Sequence, residues 1–352
     1  MVNIALRRFF ANAVAIVCVA CLTCGSPLAG EAAGGNLPVW PPAPAKARIE
    51  FVKAFSRAED LGIAKGFFAR FKDFIFGEVE SRIVRPMAVV SGGGVIYVAD
   101  PGAKGVHRFD TTGGDYALIA GPNSEPLPSP VGLARGAGGA VYVTDSKLAQ
   151  VFVIRPGAKE AVPLPLAENL KQPTGIAFDA ASDRLYVADT TAHRVAVFDH
   201  NGTLVGQIGQ RGVGDGEFNF PSYLWLTPQG RLHVTDSLNF RIQTFDIRGQ
   251  QGRFIASFGR QGDSTGEAAR PKGVATDRYG HVYIVDALFH VFQIFDEMGQ
   301  LLLPVGELGH ERGEFWLPTG IFIDSEGDSD MIYIADSYNR RVQVLRYVGG
   351  PN

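Results

Sequence analysis

The chain has 352 residues, 46% of them hydrophobic, with 43 glycines and a formal net charge of -3. So large an apolar fraction excludes a disordered polymer, and the near-neutral charge gives no electrostatic reason to expect a nucleic-acid partner. All three cysteines, Cys18, Cys21 and Cys24, precede the region expected to fold, so no disulfide or thiol chemistry is expected of that body.

Residues 1–30 read as an export signal. Arg7-Arg8 precede an apolar run from Phe9 to Leu22 that is short for a membrane span, and small residues follow up to Gly35. An uncleaved membrane anchor is the alternative, and Arg7-Arg8-Phe9-Phe10 partly matches a twin-arginine signal. Val19-Ala20-Cys21 is a partial lipobox, which makes Cys21 and Cys24 lipidation candidates; lipidated and freely secreted forms both stay open. Three cysteines in an apolar leader offer a metal neither a fourth ligand nor supporting partners. The expected location is extracytoplasmic, in the periplasm or cell envelope.

Residues 31–46, with Leu-Pro-Val-Trp-Pro-Pro-Ala-Pro from Leu37, read as a proline-rich linker. Phe51-Val-Lys-Ala-Phe-Ser56 follows with the pattern of a lone outer strand. A helical insertion is expected over about 61–77, where Phe67, Phe68, Phe71, Phe74 and Ile75 share one stripe at 100° per residue. Such a short helix needs a surface to lie on: its own domain, a partner protein or a membrane. Phe67, Phe71 and Phe74 are therefore partner-binding candidates.

From Pro86 onward the chain repeats. Segments opened by Pro86, Pro130, Pro173, Pro221, Pro271 and Pro318 are each followed by a second segment ending in Asp100, Asp145, Asp189, Asp236, Asp286 and Asp336. The spacings between these aspartates are 45, 44, 47, 50 and 50 residues, the length of one four-stranded propeller blade. Leu232-His-Val-Thr and Arg241-Ile-Gln-Thr-Phe alternate with period two, as strands do, and Asp236-Ser-Leu-Asn-Phe between them has turn chemistry. The sixth repeat stops after its third strand near Tyr347, so the segment from Phe51 is expected to complete it and close the ring.

Pro-Thr-Gly-Ile-Ala-Phe-Asp179, Leu-Tyr-Val-Ala-Asp189 and Asn339-Arg-Arg-Val-Gln-Val resemble NHL repeats. The resemblance covers roughly residues 47–348 and implies an all-β, six-bladed β-propeller. It fixes no function, because NHL propellers include RNA binders, scaffolds, sensors and a few enzymes. The family member that cleaves peptidyl-hydroxyglycine implies zinc-binding histidines just after the lead prolines. Here those positions hold Met87, Val131, Thr174, Ser222, Lys272 and Thr319. Calcium-dependent lactonase-like propellers imply acidic or amide groups on the inner strands, and Val131–Ala134, Thr174–Ala177 and Lys272–Ala275 carry none.

In a propeller the lead-proline loops and the turns after the aspartates open on one face, the default ligand surface. The aspartates are expected to cap their own turns and pair with Arg194, Arg241 and Arg341. Phe218 and Phe315 are expected to plug blade junctions. Tyr223, Phe240, Arg260, Phe289, Trp316 and Tyr338 are the candidate contact residues, since aromatics and arginine anchor protein interfaces. The leading reading is an exported, non-catalytic scaffolding module that binds a protein partner or small ligand on this face and needs no cofactor. A metal-dependent lyase or hydrolase using His193, His290 and His310 is the alternative, and a small ligand in the central tunnel is the third.

Overall fold

Four-stranded antiparallel sheets recur around the ring, each running from an inner to an outer strand, in a computed structural model that describes residues 37–63, 82–249 and 252–350. Blade 4 is representative, with strands Pro221–Leu226, Arg231–Asp236, Arg241–Asp246 and Arg253–Phe258. Lead proline and strand-ending aspartate are direct partners, as in Pro221↔Asp236, so both lie at the same end of the blade. The fold is a six-bladed β-propeller.

The sixth sheet is assembled from both ends of the described chain. Pro318–Asp324, Met331–Asp336 and Arg341–Tyr347 supply its inner three strands, and Ile49–Phe55 pairs antiparallel with Arg341–Tyr347 as the fourth. A fifth strand, Val39–Trp40, pairs with Ile49 and Glu50. Part of the stretch expected to be linker is thus inside the sheet, and Trp40 packs on the core between blades 5 and 6. Residues from Leu37 onward form one compact unit. The expected insertion over about 61–77, with Phe67, Phe71 and Phe74, lies almost wholly outside the described residues, as do Cys21 and Cys24.

The second strands are buried on both faces, which is why Leu-Tyr-Val-Ala in blade 3 and Ile-Tyr-Val-Ala in blade 1 read as continuous apolar runs rather than alternations. Their side chains fill the spaces between neighbouring blades. Val195 and Val197 of blade 3 meet Leu224, Val234 and Phe245 of blade 4, with Phe218 sealing the junction. Phe315 does the same between blades 5 and 6; both phenylalanines are fully buried. Near the axis the inner strands approach so closely that a Cβ on Gly175 would lie 2.7 Å from the backbone of Ser222 and Tyr223.

Each repeated aspartate is buried and accepts N–H groups from the loop before its lead proline, and all but Asp189 also bind the turn after their own strand; Asp189 Oδ2 has no hydrogen-bond partner among the described residues. Asp145 accepts the N–H groups of Ser129, Lys147 and Leu148 at 2.8, 3.0 and 2.9 Å. Asp286 accepts from Ala269, Arg270, Leu288 and Phe289. In blade 4 side chains join in: Asp236 takes bonds from Asn219 N–H, Asn239, Arg241 and Gln243 at 2.6 to 3.1 Å. Gln243 then reaches the loop from the preceding blade, accepting from Gly216 N–H and donating to the Glu217 carbonyl. The expected pairs are present at 3.5 Å for Asp189–Arg194, 2.9 Å for Asp236–Arg241 and 2.8 Å for Asp336–Arg341.

Breaking such a buried, hydrogen-bonded pair costs about 3–5 kcal/mol. Asp236→Ala is therefore expected to lower the unfolding free energy by that amount in urea titrations. Arg260→Ala, which removes only an exposed pair with Glu267, should cost under about 1 kcal/mol.

A second prediction concerns acid. Burial, with the Arg231 charge nearby, pushes the His233 imidazole from 6.5 down to about 4, and Thr244 Oγ1 lies 2.9 Å from its Nδ1. The native state keeps this ring neutral while the unfolded chain takes up a proton below about pH 6.5. Its contribution is complete above that pH and is lost as pH falls toward 4, on the order of 3 kcal/mol. Urea midpoints should fall more steeply between those limits for the wild type than for His233→Gln; parallel slopes would contradict it.

Candidate functional site: the loop face and the axial channel

The aspartate turns and the lead-proline loops share one face, and it carries most of the exposed large apolar side chains among the described residues. Val84, Leu148, Val213, Leu238, Leu288, Leu308, Trp316 and Tyr338 lie on it, against Tyr279 and Met298 in loops of the opposite face. The distribution around the ring is uneven. Two positions after the aspartate, blades 4, 5 and 6 present Leu238, Leu288 and Tyr338 at 52%, 51% and 52% exposure, where blades 1 to 3 present Gly102, Lys147 and Thr191.

Trp316 and Tyr338 form the aromatic pair at the blade 6 end of this arc. Their rings are 5.5 Å apart, Tyr338 N–H donates to the Trp316 carbonyl, and Trp316 N–H donates to the buried Asp336. His310 stands edge-on to Trp316 at 5.2 Å, its Nδ1 2.6 Å from Asn339 Oδ1. The arrangement is a hydrogen-bonded backbone displaying an aromatic pair to solvent.

The other candidates separate. Phe289 is half-buried in the blade 5 turn, and Arg260 is exposed and paired with Glu267. Phe240 is half-buried beside Glu267 and Pro271 at the junction of blades 4 and 5. Tyr223 is on the inner strand Pro221–Leu226 and faces the channel, not the loop rim. Leu238 and Leu288 escaped the sequence reading because an apolar residue alone reads as core. Only alignment of the six turns on their aspartates reveals them.

The turn position four after each aspartate in blades 1, 2, 3, 4 and 6 holds Lys104, Ala149, His193, Phe240 and Arg340, and His290 is its counterpart in blade 5. All are left-handed, with φ from 55° to 61°. No glycine or asparagine marks the position as left-handed in the sequence. In blades 3 and 5 the imidazole there has a structural use: His193 Nδ1 accepts from Phe220 N–H at 3.3 Å and His290 Nδ1 from Leu317 N–H at 3.1 Å. Burial holds the His290 ring below the ordinary histidine value. No three His, Cys, Asp or Glu side chains cluster at metal-binding distance among the described residues. Five of the six aspartates have both oxygens engaged by hydrogen bonds, while Asp189 Oδ2 lies 3.5 Å from Arg194 without one.

The axis encloses a cavity of about 280 Å³ bordered by Leu133, Arg135, Phe178, Tyr223, Trp225 and Phe322. Blade 4 makes it asymmetric: where blades 2, 3, 5 and 6 have Gly132, Gly175, Gly273 and Gly320, it has Tyr223. Two residues on, Trp225 donates Nε1–H to Thr276 Oγ1 at 2.8 Å and meets Phe322 edge-on at 5.6 Å. At the far end Arg135 pairs with Glu326 at 2.5 Å. Trp225→Phe should cost about 1 kcal/mol through the lost hydrogen bond and Trp225→Ala about 3–5 kcal/mol in thermal or urea unfolding; equal, small losses would mean that the indole fills no space.

A closed ring of six sheets with one loop-rich face and an axial channel narrowed by Tyr223 and Trp225 defines a propeller whose candidate site lies on its loops. A model of the NHL repeat matches residues 170–198, which span the inner strand of blade 3, Asp189 and the third strand to Phe198. The chain is a six-bladed propeller containing an NHL repeat. It is 32% identical over 175 residues to mouse peptidyl-glycine alpha-amidating monooxygenase, a match spanning 42% of this chain and 18% of that protein. Among solved structures it resembles an auxiliary nutrient binding protein from Bacteroides thetaiotaomicron, with TM-score 0.59 and 14% identity over 75% of this chain and 69% of that one. It also resembles virginiamycin B lyase from Staphylococcus aureus, with TM-score 0.54 and 14% identity over 76% of this chain and 96% of that one. These two likenesses establish the fold alone.

Proposed function

We propose that this protein is an exported binding and scaffolding module of the cell envelope, which engages a protein partner through the loop face of blades 4 to 6. The observation that carries the reading is the arc of Leu238, Leu288, Trp316 and Tyr338, exposed on turns that buried aspartates hold in place. Exposed large apolar side chains gathered on one part of a face are costly in water and mark interaction sites. The Trp316–Tyr338 pair matches the aromatic composition usual in binding hot spots. Rigid turns also lower the ordering cost of association.

Export rests on the basic and apolar leader of residues 1–30, and lipid on Cys21 or Cys24 would add a membrane anchor. The alternative, a metal-dependent lyase or hydrolase built on His193, His290 and His310, has less support. The first two rings accept hydrogen bonds from the next blade's loop, and the third is engaged with Asn339 and Trp316.

A photo-crosslinking amino acid at Leu288 or Tyr338, in the full chain and its native host, is expected to trap one discrete partner. The same group at Met298, 81% exposed in a loop of the opposite face, should not trap it. Leu288→Glu combined with Tyr338→Glu should reduce recovery of that partner at least tenfold. Equal trapping from both faces, or from neither, would overturn the reading.

A further inference from the structure

Side chains from all six blades meet around the axis at one level. Three positions after the lead prolines stand Val89, Leu133, Ile176, Leu224, Val274 and Ile321, every one buried and every one bordering the axial cavity of about 280 Å³. One position further on, blades 2, 3 and 5 have Ala134, Ala177 and Ala275, whereas blades 4 and 6 have Trp225 and Phe322. Those two rings, with Tyr223 in the place of a glycine, turn a tube into a chamber. None of the residues that directly follow the lead prolines borders it, while Arg135, the last residue of its inner strand, does. The chamber therefore lies between the level of Tyr223 and the mouth on the face opposite the loops.

The rings do not simply plug the axis. Phe178, Tyr223, Trp225 and Phe322 are each only half-buried, and all four border the cavity. Rings that served packing alone would cover one another, since aromatic surface left against water forfeits its burial. The Trp225 indole is fixed in orientation by its hydrogen bond to Thr276 and its edge contact with Phe322. Charge at the mouth is matched: the Arg135 guanidinium lies against Gly92 of blade 1, where a Cβ would collide with it, and ends on Glu326 of blade 6. Each inner strand pairs only with the second strand of its own blade, so its other edge turns backbone N–H and C=O groups toward the axis.

We propose that this chamber is a binding site for a small, uncharged aromatic molecule of one or two fused rings that carries a hydrogen-bonding group, as indole does. Volume sets the size: a dry cavity of about 150 Å³ lined by Leu, Ile and Phe takes benzene, so this larger one has room for a bicyclic ring. Aromatic walls from blades 3, 4 and 6 favour a flat ring over an aliphatic molecule of similar size through edge-to-face contact, and the strand edges can take its polar group. With Arg135 already paired, a charged ligand would lose its hydration without gaining a counter-ion. The site is built on the inner strands and stands or falls independently of partner binding on the loop face.

The probe is indole, titrated into the full-length protein with its three tryptophans replaced by 5-fluorotryptophan and read by fluorine NMR. The Trp225 signal, assigned by its loss in Trp225→Phe, should shift, while those of Trp40 at the sheet edge and Trp316 on the loop face should not. Cyclohexanol and indole-3-acetate are the comparison ligands, each expected to bind at least tenfold more weakly. Tyr223→Gly restores the residue of blades 2, 3, 5 and 6 and opens the chamber upward; that variant should fold and lose at least tenfold in indole affinity. An unmoved Trp225 signal in the wild type, or a shift of Trp316 in its place, would overturn the site whatever the variant does, and undiminished affinity in folded Tyr223→Gly would overturn it too. Cyclohexanol binding as tightly as indole would overturn the aromatic assignment, and indole-3-acetate doing so would overturn the uncharged one.

Discussion

The structure depends on a carboxylate held out of water at the same point of each blade. The loop before each inner strand presents backbone N–H groups that no sheet neighbour can take, and leaving them unpaired in a buried position would cost free energy. The aspartate ending the second strand accepts them and, in every blade but the third, binds the following turn as well. At Asp100 burial pushes the carboxyl up, but His107 and the N–H groups of Val84 and Ala103 outweigh it and hold the group below the usual range. In blades 4 and 6 the same carboxylate gathers an asparagine, an arginine and a glutamine, and the glutamine ties in the loop from the blade before. One buried charge in each of those two blades therefore fixes strand end, turn and inter-blade loop together.

That fixation decides what the loop face can do. The turns are anchored from below, so the side chains they display keep one geometry and lose little freedom when something binds. Two positions after the aspartate, blades 1 to 3 carry small or polar residues and blades 4 to 6 large apolar ones. Leu238, Leu288 and Tyr338 are the exposed members there, and Tyr223 stands at the axis where four other blades have glycine. A repeat fold can support six equivalent blades with uniform chemistry. The places where this chain departs from its own pattern, at a cost in exposure or desolvation, are those without a structural account.

Much of the architecture was legible because it is written locally and repeatedly. The proline-to-aspartate period, the alternating third strands and the Gly-Glu-Phe loops each state a blade in its own residues, and the fates of Phe218 and Phe315 followed from that repetition. Other features depend on partners distant in sequence. The proline-rich text around Val39–Trp40 gives no sign that it adds a strand beside Ile49. Lys104, Ala149, His193, Phe240, His290 and Arg340 share a left-handed backbone without sharing any side-chain chemistry. Tyr223 was read as part of the loop face because it follows a lead proline closely, yet the strand has already begun at Pro221 and turns its ring to the axis. The candidate site was visible as a face and as the aromatics Trp316 and Tyr338, but not as an arc, since the exposure of leucines is a property of the assembled ring.

The central claim is that the working surface lies on the loop face of blades 4 to 6. Hydroxyl-radical footprinting of the protein inside the cells that make it, against the purified protein, tests this most directly. Protection concentrated on Leu238, Leu288, Trp316 and Tyr338, with Met298 and Tyr279 unchanged, is the predicted result. Protection confined to the opposite face, or spread evenly round the ring, would contradict it.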